Sequence, residues 1–385
     1  MVPKWRVGIV KDRSKPMLGL HGHHVAFRGL PGVEIAALAD SNADGIDDLI
    51  ALTGAKKHYR TFEEMLDNEK LDIVVLCSRH PGDHFQQIRH AAERGVHVYT
   101  EKPMTVSLAE ADKIVALVER YGIKLLVAHF ARYDLGFRTM KKIVEAGEIG
   151  RPLTAYGKGK CDHRGGGEDL AVLGVHILDI LIFIFGEPTA VRAEVLTNGI
   201  PIVATDRTAT IEPVGPTAGD DIFATFRFPG GVRGIFESRQ GLLAESGGSV
   251  HMGVTVQGTK GSVTLRFCDG VPEDELRISR TPGPVEDHAS YETVPLIEDR
   301  VIPRAYPLDF SLCGHTDICS ARWILEANRF AAWDLLQAIE GGSKPISNER
   351  TARLALEMIY GIYASHLSDG AIRFPLLDRA NPLGG

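Results

Sequence analysis

Three sets of side chains have types and spacings that can do chemistry. His176 and Asp179 stand three residues apart in an apolar run, so on a helix they share one face. An imidazole, whose ordinary pKa of about 6.5 lies near working pH, suits proton transfer. A carboxylate on the same face can orient that ring or hold a substrate hydroxyl, or the two can simply pair inside a buried helix. Lys102 follows an apolar strand-like run and precedes Pro103, which biases it to an extended backbone. There an ammonium can donate hydrogen bonds to a reacting hydroxyl and to a ribose, or it is a solvated turn lysine. Asp40 ends another apolar run; an acid in that place accepts hydrogen bonds from a nucleotide 2′-hydroxyl and repels a 2′-phosphate, or it caps the helix after Ser41-Asn42.

The elements that must position these groups alternate regularly through the first third of the chain. Strand-like runs at Val7–Val10, Val33–Asp40, Asp72–Cys77, Val96–Thr100 and Ile123–Ala128 are separated by helical stretches. Those stretches fall near 22–30, 46–53, 61–66, 85–94 and 107–121. Thr61 with Glu64, and Ser107 with Glu110, have the spacing of capping boxes. Such repeats imply right-handed crossovers and a doubly wound parallel sheet, with ligands outside the carboxyl ends of the strands. From about residue 150 the texture becomes short strands between Gly and Pro, near 153–160, 189–196, 221–228, 232–239, 250–257 and 262–267. That pattern predicts a mainly antiparallel sheet. Residues 268–315, rich in Pro, Asp and Glu, read as a lid or an inter-subunit arm. Helices near 324–340 and 349–368 close the chain. The expected fold class is therefore α/β, with a Rossmann-type domain over 1–128 and a substrate-binding and oligomerisation domain over 129–385.

Composition narrows the function. The 385 residues carry 43 Lys and Arg against 50 Asp and Glu, a net charge of −7. No clustered basic face is expected, so neither nucleic acid nor a membrane surface is an expected partner. Five cysteines, an odd and sparse set, fit a reducing compartment, and the expected location is cytoplasmic. The apolar run 170–186 is interrupted by His176 and Asp179 and is too short for a clean membrane span. Metal is not expected. His21, His23 and His24 lack an accompanying cysteine or carboxylate, and Cys313, His315, Asp317 and Cys319 match no standard zinc spacing.

Four segments taken together resemble the Gfo/Idh/MocA family of sugar and cyclitol oxidoreductases. They are Val96–Pro103 with its Glu101-Lys102-Pro103, Arg79–His84, Gly147–Pro152, and Gly165-Gly166-Gly167 followed by Gly174–Asp179. The resemblance spans roughly residues 5 to 190, and the pairing of Glu-Lys-Pro with Gly-x-His-x-x-Asp at this separation is its specific part. It implies an NAD-dependent dehydrogenase acting on a secondary hydroxyl or ketone of a sugar, cyclitol or related polyol, with NADP the less favoured cofactor. His176 becomes the general base or acid, with Lys102 and Asp179 assisting. Cofactor contacts are expected from Lys11, Gly19, Gly22, His23, Asp40, Ser41, Ser78, His80, His84, Glu101 and Lys102. Substrate contacts are expected from Arg132, Lys160, Asp162 and Arg164. The open sheet of such a second domain often makes the oligomer contact, so a homodimer or homotetramer is expected.

Two departures bear on function. The usual Gly-x-Gly-x-x-Gly after the first strand is replaced by a longer loop from Lys11 to Gly22, in which Gly19 and Gly22 remain and Lys11, Arg13 and Lys15 add charge. The acid often found four residues before the base is Val172 here, the nearest acids being Glu168 and Asp169. Two other functions stay open at this level. One is an NAD-assisted glycosidase working by transient oxidation and elimination; the other is a non-catalytic sugar- or nucleotide-sensing Rossmann protein.

Overall fold

The computed structural model describes residues 4–11, 13–14, 22–242, 252–266, 276–285, 290–297, 301–313 and 321–384. Gly19, Lys15, His21 and most of the Cys313–Cys319 run therefore lie outside the described residues. The chain divides into two compact units. The first takes Met1–Tyr133 and Arg300–Ala352, the second Asp134–Asp299 and Arg353–Gly385.

In the first unit six strands pair in parallel: β1 (Trp5–Val10), β2 (Val33–Ala39), β3 (Lys57–Tyr59), β4 (Ile73–Leu76), β5 (His97–Thr100) and β6 (Leu125–Val127). Their order is β3-β2-β1-β4-β5-β6. Val7, Ile9, and all four residues of β4 are fully buried, as the near-continuous apolar runs require of a sheet covered on both faces. Helices α1 (Ile46–Thr53), α2 (Phe62–Asn68), α3 (His84–Glu93) and α4 (Leu108–Tyr121) make the crossovers. Both expected caps form, and each in one direction only. Thr61 Oγ1 accepts from Glu64 N, while Glu64 reaches back to Arg60 N; Ser107 Oγ accepts from Glu110 N, while Glu110 accepts from Thr105 Oγ1.

The first crossover differs from expectation. In place of a helix over 22–30 there is one 3₁₀ turn, His23–Val25, followed by further turns to Gly29. Gly22 turns the chain into it at φ 83°, with Leu325 packed so close that an added Cβ would meet its Cδ1 at 2.9 Å. The long helix α8 (Ala321–Gly341) thus belongs to the first unit, where Tyr99 also donates its hydroxyl hydrogen to Asn328 Oδ1 at 2.5 Å.

The second unit opens with α5 (Leu135–Glu145), whose N-cap Asp134 accepts from Phe137 N. It then builds a ten-stranded sheet from β7 (Pro152–Lys158), β8 (Ala190–Thr197), β9 (Ile200–Pro201), β10 (Asp221–Arg227), β11 (Arg233–Arg239), β12 (Gly253–Gly258), β13 (Ser262–Arg266), β14 (Arg277–Ser279), β15 (Glu292–Thr293) and β16 (Ile372–Arg373). Every pairing is antiparallel except β7 with β11. The described parts of 268–315 contribute β14 and β15 to the edge of this sheet, so that stretch is not wholly an excursion. The apolar run 170–186 is a composite: a single turn α6 (Gly167–Asp169), a π-helical turn over Leu170–Gly174, and α7 (Val175–Phe185). The helix α9 (Glu349–Leu367) ends against β8, where Ser365 Oγ accepts from Ala193 N.

Candidate functional site

In the first unit the strand order reverses between β1 and β4, so the crevice opens at the carboxyl ends of β1, β2, β4 and β5. Lys11 is the first residue past β1 and is held there by its amide, which donates to Ala39 O at 3.0 Å. Its side chain is only 4% exposed, and the ammonium makes no hydrogen bond among the described residues. Burial drives its pKa below the usual lysine range, with Cys77 and Asp40 pulling the other way. Cys77 cannot neutralise it, because burial pushes that thiol up to about 12. Asp40 cannot do so either, since its carboxylate is committed to Arg13, whose Nε lies 2.5 Å from Asp40 Oδ2. Lys11 thus stands buried at the switch point with no anion bonded to it among the described residues.

The ends of β4 and β5 supply the neighbours. Glu101 and Lys102 are both buried, and Glu101 Oε2 accepts from Lys102 N at 2.5 Å and lies 3.8 Å from His23 Nε2. The His23 ring packs edge-on against Tyr99 at 5.4 Å. His84 behaves as a clip: Nε2 lies 2.9 Å from Ser78 O, and Nδ1 lies 3.1 Å from Pro103 O and 3.2 Å from Met104 O. Burial pushes its pKa down while these carbonyls pull it up, and the ring joins the β4 and β5 loops. Ser78 Oγ accepts from His80 N, and both side chains stay half-buried at the mouth, while Ser41 is exposed. Arg132, expected as a substrate ligand, is buried in the first unit and donates from Nη1 to Ile346 O at 3.1 Å.

The second unit holds the other expected group of residues on one stretch of chain. His176 and Asp179 occur on α7, 1% and 0% exposed, immediately after the π turn. A π turn displaces everything beyond it by one position relative to an unbroken helix, a device common at functional sites. Upstream, Lys160, Asp162 and Arg164 form a chain of ion pairs, with Asp162 Oδ2 at 2.9 Å from Arg164 Nη2 and 3.8 Å from Lys160 Nζ. Arg164 Nη1 also lies 3.5 Å from Glu212. Burial works against the Asp162 carboxylate, but Arg164 and Lys160 hold its pKa below the usual range.

Two features of this stretch escaped the sequence reading. The triple glycine is a close-approach device. A Cβ on Gly165 would stand 2.3 Å from Gln240 N, and one on Gly166, at φ +89°, 2.3 Å from Gly219 O. The second feature is Asp169, fully buried, which accepts from Ser238 Oγ at 2.5 Å and from Cys161 N at 3.1 Å and so fixes the turn at Cys161, itself at φ 60°. Burial raises its pKa above the ordinary carboxylate value, against those hydrogen bonds. Ser238 lies 69 residues away on β11, and nothing local in the sequence signals the pair.

Comparison with known proteins agrees with this arrangement. Residues 18–129 match the model of an oxidoreductase family with an NAD-binding Rossmann fold, and residues 137–264 match the GFO/IDH/MocA C-terminal domain. The D-apiose dehydrogenase of Paraburkholderia graminis is 32% identical over 181 residues, 44% of this chain and 48% of that protein. The myo-inositol 2-dehydrogenase of Thermotoga maritima is 25% identical over 256 residues, 64% of this chain and 71% of that protein. The first of these matches thus spans about half the relative's length. Among solved structures, a levoglucosan dehydrogenase in complex with NADH and levoglucosan superposes with a TM-score of 0.71 at 18% identity, covering 97% of this chain and 100% of that one. An oxidoreductase from Agrobacterium radiobacter in complex with NAD+, L-tartaric acid and magnesium gives a TM-score of 0.71 at 16% identity, covering 96% and 98%. The two family models together take in most of both units, and the chain belongs to the Gfo/Idh/MocA family of oxidoreductases.

Proposed function

We propose that this protein is an NAD-dependent dehydrogenase that interconverts a secondary hydroxyl and a ketone on a sugar, cyclitol or related polyol. The observation that carries the reading is the buried cluster Lys11, Glu101 and Lys102 at the carboxyl ends of β1 and β5, where a dinucleotide fits and no structural partner for Lys11 exists among the described residues. The relatives that act on apiose and inositol, and the structure that holds levoglucosan, support the polyol class.

In this reading Lys11 meets the pyrophosphate and Asp40 the adenosine ribose. Bound NAD supplies the acceptor for the hydride that leaves the carbinol carbon. Lys102 donates a hydrogen bond to the carbinol oxygen and favours its alkoxide character. His176 takes the hydroxyl proton onto its imidazole, and in reduction returns it. Asp179, one turn further along α7, orients the ring or grips a neighbouring hydroxyl. Lys160, Asp162 and Arg164 present alternating charge to a polyhydroxylated substrate. The protein acts as a homodimer or homotetramer through the open sheet face of the second unit.

The test is a screen of pentoses, hexoses, cyclitols and anhydrosugars with purified protein and NAD. The reading expects NADH to form with at least one polyol, in proportion to that polyol. Absence of turnover across the screen from protein that has been shown to hold NAD would contradict it.

A further inference from the structure

We infer that Arg13 makes the adenosine-ribose corner of the first unit accept a 2′-phosphate, so that the protein takes NADP as well as NAD. The inference rests on the dinucleotide reading above and concerns its specificity.

A bare carboxylate at the end of the second strand accepts ribose hydroxyls and repels a phosphate. Asp40 is in that place but is not bare. Its Oδ1 accepts from Arg13 N at 3.1 Å and from Asn42 N at 3.0 Å, and its Oδ2 accepts from Arg13 Nε at 2.5 Å. Both oxygens are engaged, and the pair carries no net charge.

The same contacts fix the guanidinium. Nη2 donates to Asn42 O at 2.8 Å, so the fork is held at two points rather than left to wander. Arginine carries five N–H donors, and these bonds use two. The remaining three have no partner among the described residues, and the side chain is 21% exposed where Asp40 is 0%. A planar fork with donors unused among the described residues, held at two points and open to solvent, is the group that binds a phosphate bidentately. Asp40 thus acts on a 2′-phosphate in two opposed ways: its own charge repels, and it anchors the cation that attracts. The immobilised guanidinium lies on the solvent side of the pair, so a phosphate arriving from solvent meets the fork first.

The experiment is calorimetric titration of the full-length protein and of Arg13→Gln with 5′-AMP, 2′,5′-ADP, NAD and NADP. For the wild type, 2′,5′-ADP is expected to bind at least as tightly as 5′-AMP, and NADP within about tenfold of NAD. For Arg13→Gln, the phosphorylated ligands are expected to weaken roughly 10- to 100-fold, the range of a lost hydrogen bond to a charged group, while 5′-AMP and NAD change less than about threefold. Wild-type protein that binds NAD but takes NADP more than about 100-fold more weakly would overturn this inference and leave the dehydrogenase reading intact. So would equal weakening of all four ligands in Arg13→Gln, which would make Arg13 a strut of the loop. Failure of every ligand to bind the wild type would overturn both.

Discussion

Single residues in this protein are tuned by what surrounds them, and two make opposite pH statements. Burial disfavours the charged form of Lys11, so its folded pKa is depressed below its unfolded value. An anion restores the charged form. NAD affinity should therefore be greatest at low and neutral pH and weaken as pH rises through the lowered pKa toward the ordinary lysine value. Titrations across that range should show this slope in the wild type and lose it in Lys11→Met, with an affinity loss of about 10- to 100-fold at neutral pH. Asp169 has a raised pKa, the reverse of a salt-bridged acid. Stability should fall as pH rises from the unfolded carboxylate value through the raised one, because the charged form is the one that burial penalises. Asp169→Asn keeps an acceptor for Ser238 and Cys161 and should flatten that dependence. Asp169→Ala strands both donors and should cost about 1–3 kcal/mol in urea denaturation at neutral pH. Lys102, His176 and Asp179 were singled out by the family resemblance, and the structure shows all three buried. Ser238 was not legible, since its partner is distant in sequence and a serine on a strand has no signature of its own.

At the scale of elements, the parallel sheet was readable because its buried strands are short apolar runs, set between helices that Gly54, Gly122, Thr61 and Ser107 bound. The exceptions have physical reasons. The edge strand β3 was missed because Lys57-His58-Tyr59 is short, polar and partly exposed, with nothing apolar to alternate. The helix α5 was missed although Asp134 caps it, because the apolar face begins only at Leu135 and Phe137. The expected helix after β1 fails because Gly22, Gly29 and Gly32, all at positive φ, break the stretch into turns. The π turn before α7 was invisible for a different reason: an extra residue in a helix changes no apolar pattern in a segment that is apolar all round. The triple glycine was read as a family mark and turns out to be steric. Gly166→Ala would meet both the positive φ and the carbonyl of Gly219. It should destabilise the second unit by about 2–4 kcal/mol, read as a lower thermal midpoint, with NAD binding at the first unit retained.

For the whole molecule, the two-unit division is not a simple cut at one point. The chain crosses between units three times, and α8, which the sequence reading placed in the second domain by its position in the chain, lies in the first. No helix among the described residues is long and apolar enough to cross a membrane. The sheet of the second unit has one face packed and one open: on β10, Ile222, Ala224 and Phe226 are fully buried while Phe223 between them is 44% exposed. That open face also holds Arg192 and Glu194 around a cavity of about 860 Å³, mixed charges that a two-fold partner can pair. Light scattering on the purified protein should therefore give a dimer or tetramer mass, and Phe223→Glu should shift it toward monomer with the fold kept. Lys102 belongs to the first unit and His176 to the second. The most direct test of the account is polyol-dependent NADH formation by the wild type, Lys102→Met and His176→Gln, each with its NAD affinity measured alongside. The account predicts a loss of about 10²- to 10⁴-fold in kcat for each variant, the range of a positioned acid–base group, with NAD binding held within a few-fold for His176→Gln. A His176→Gln protein that turns over at the wild-type rate would contradict it.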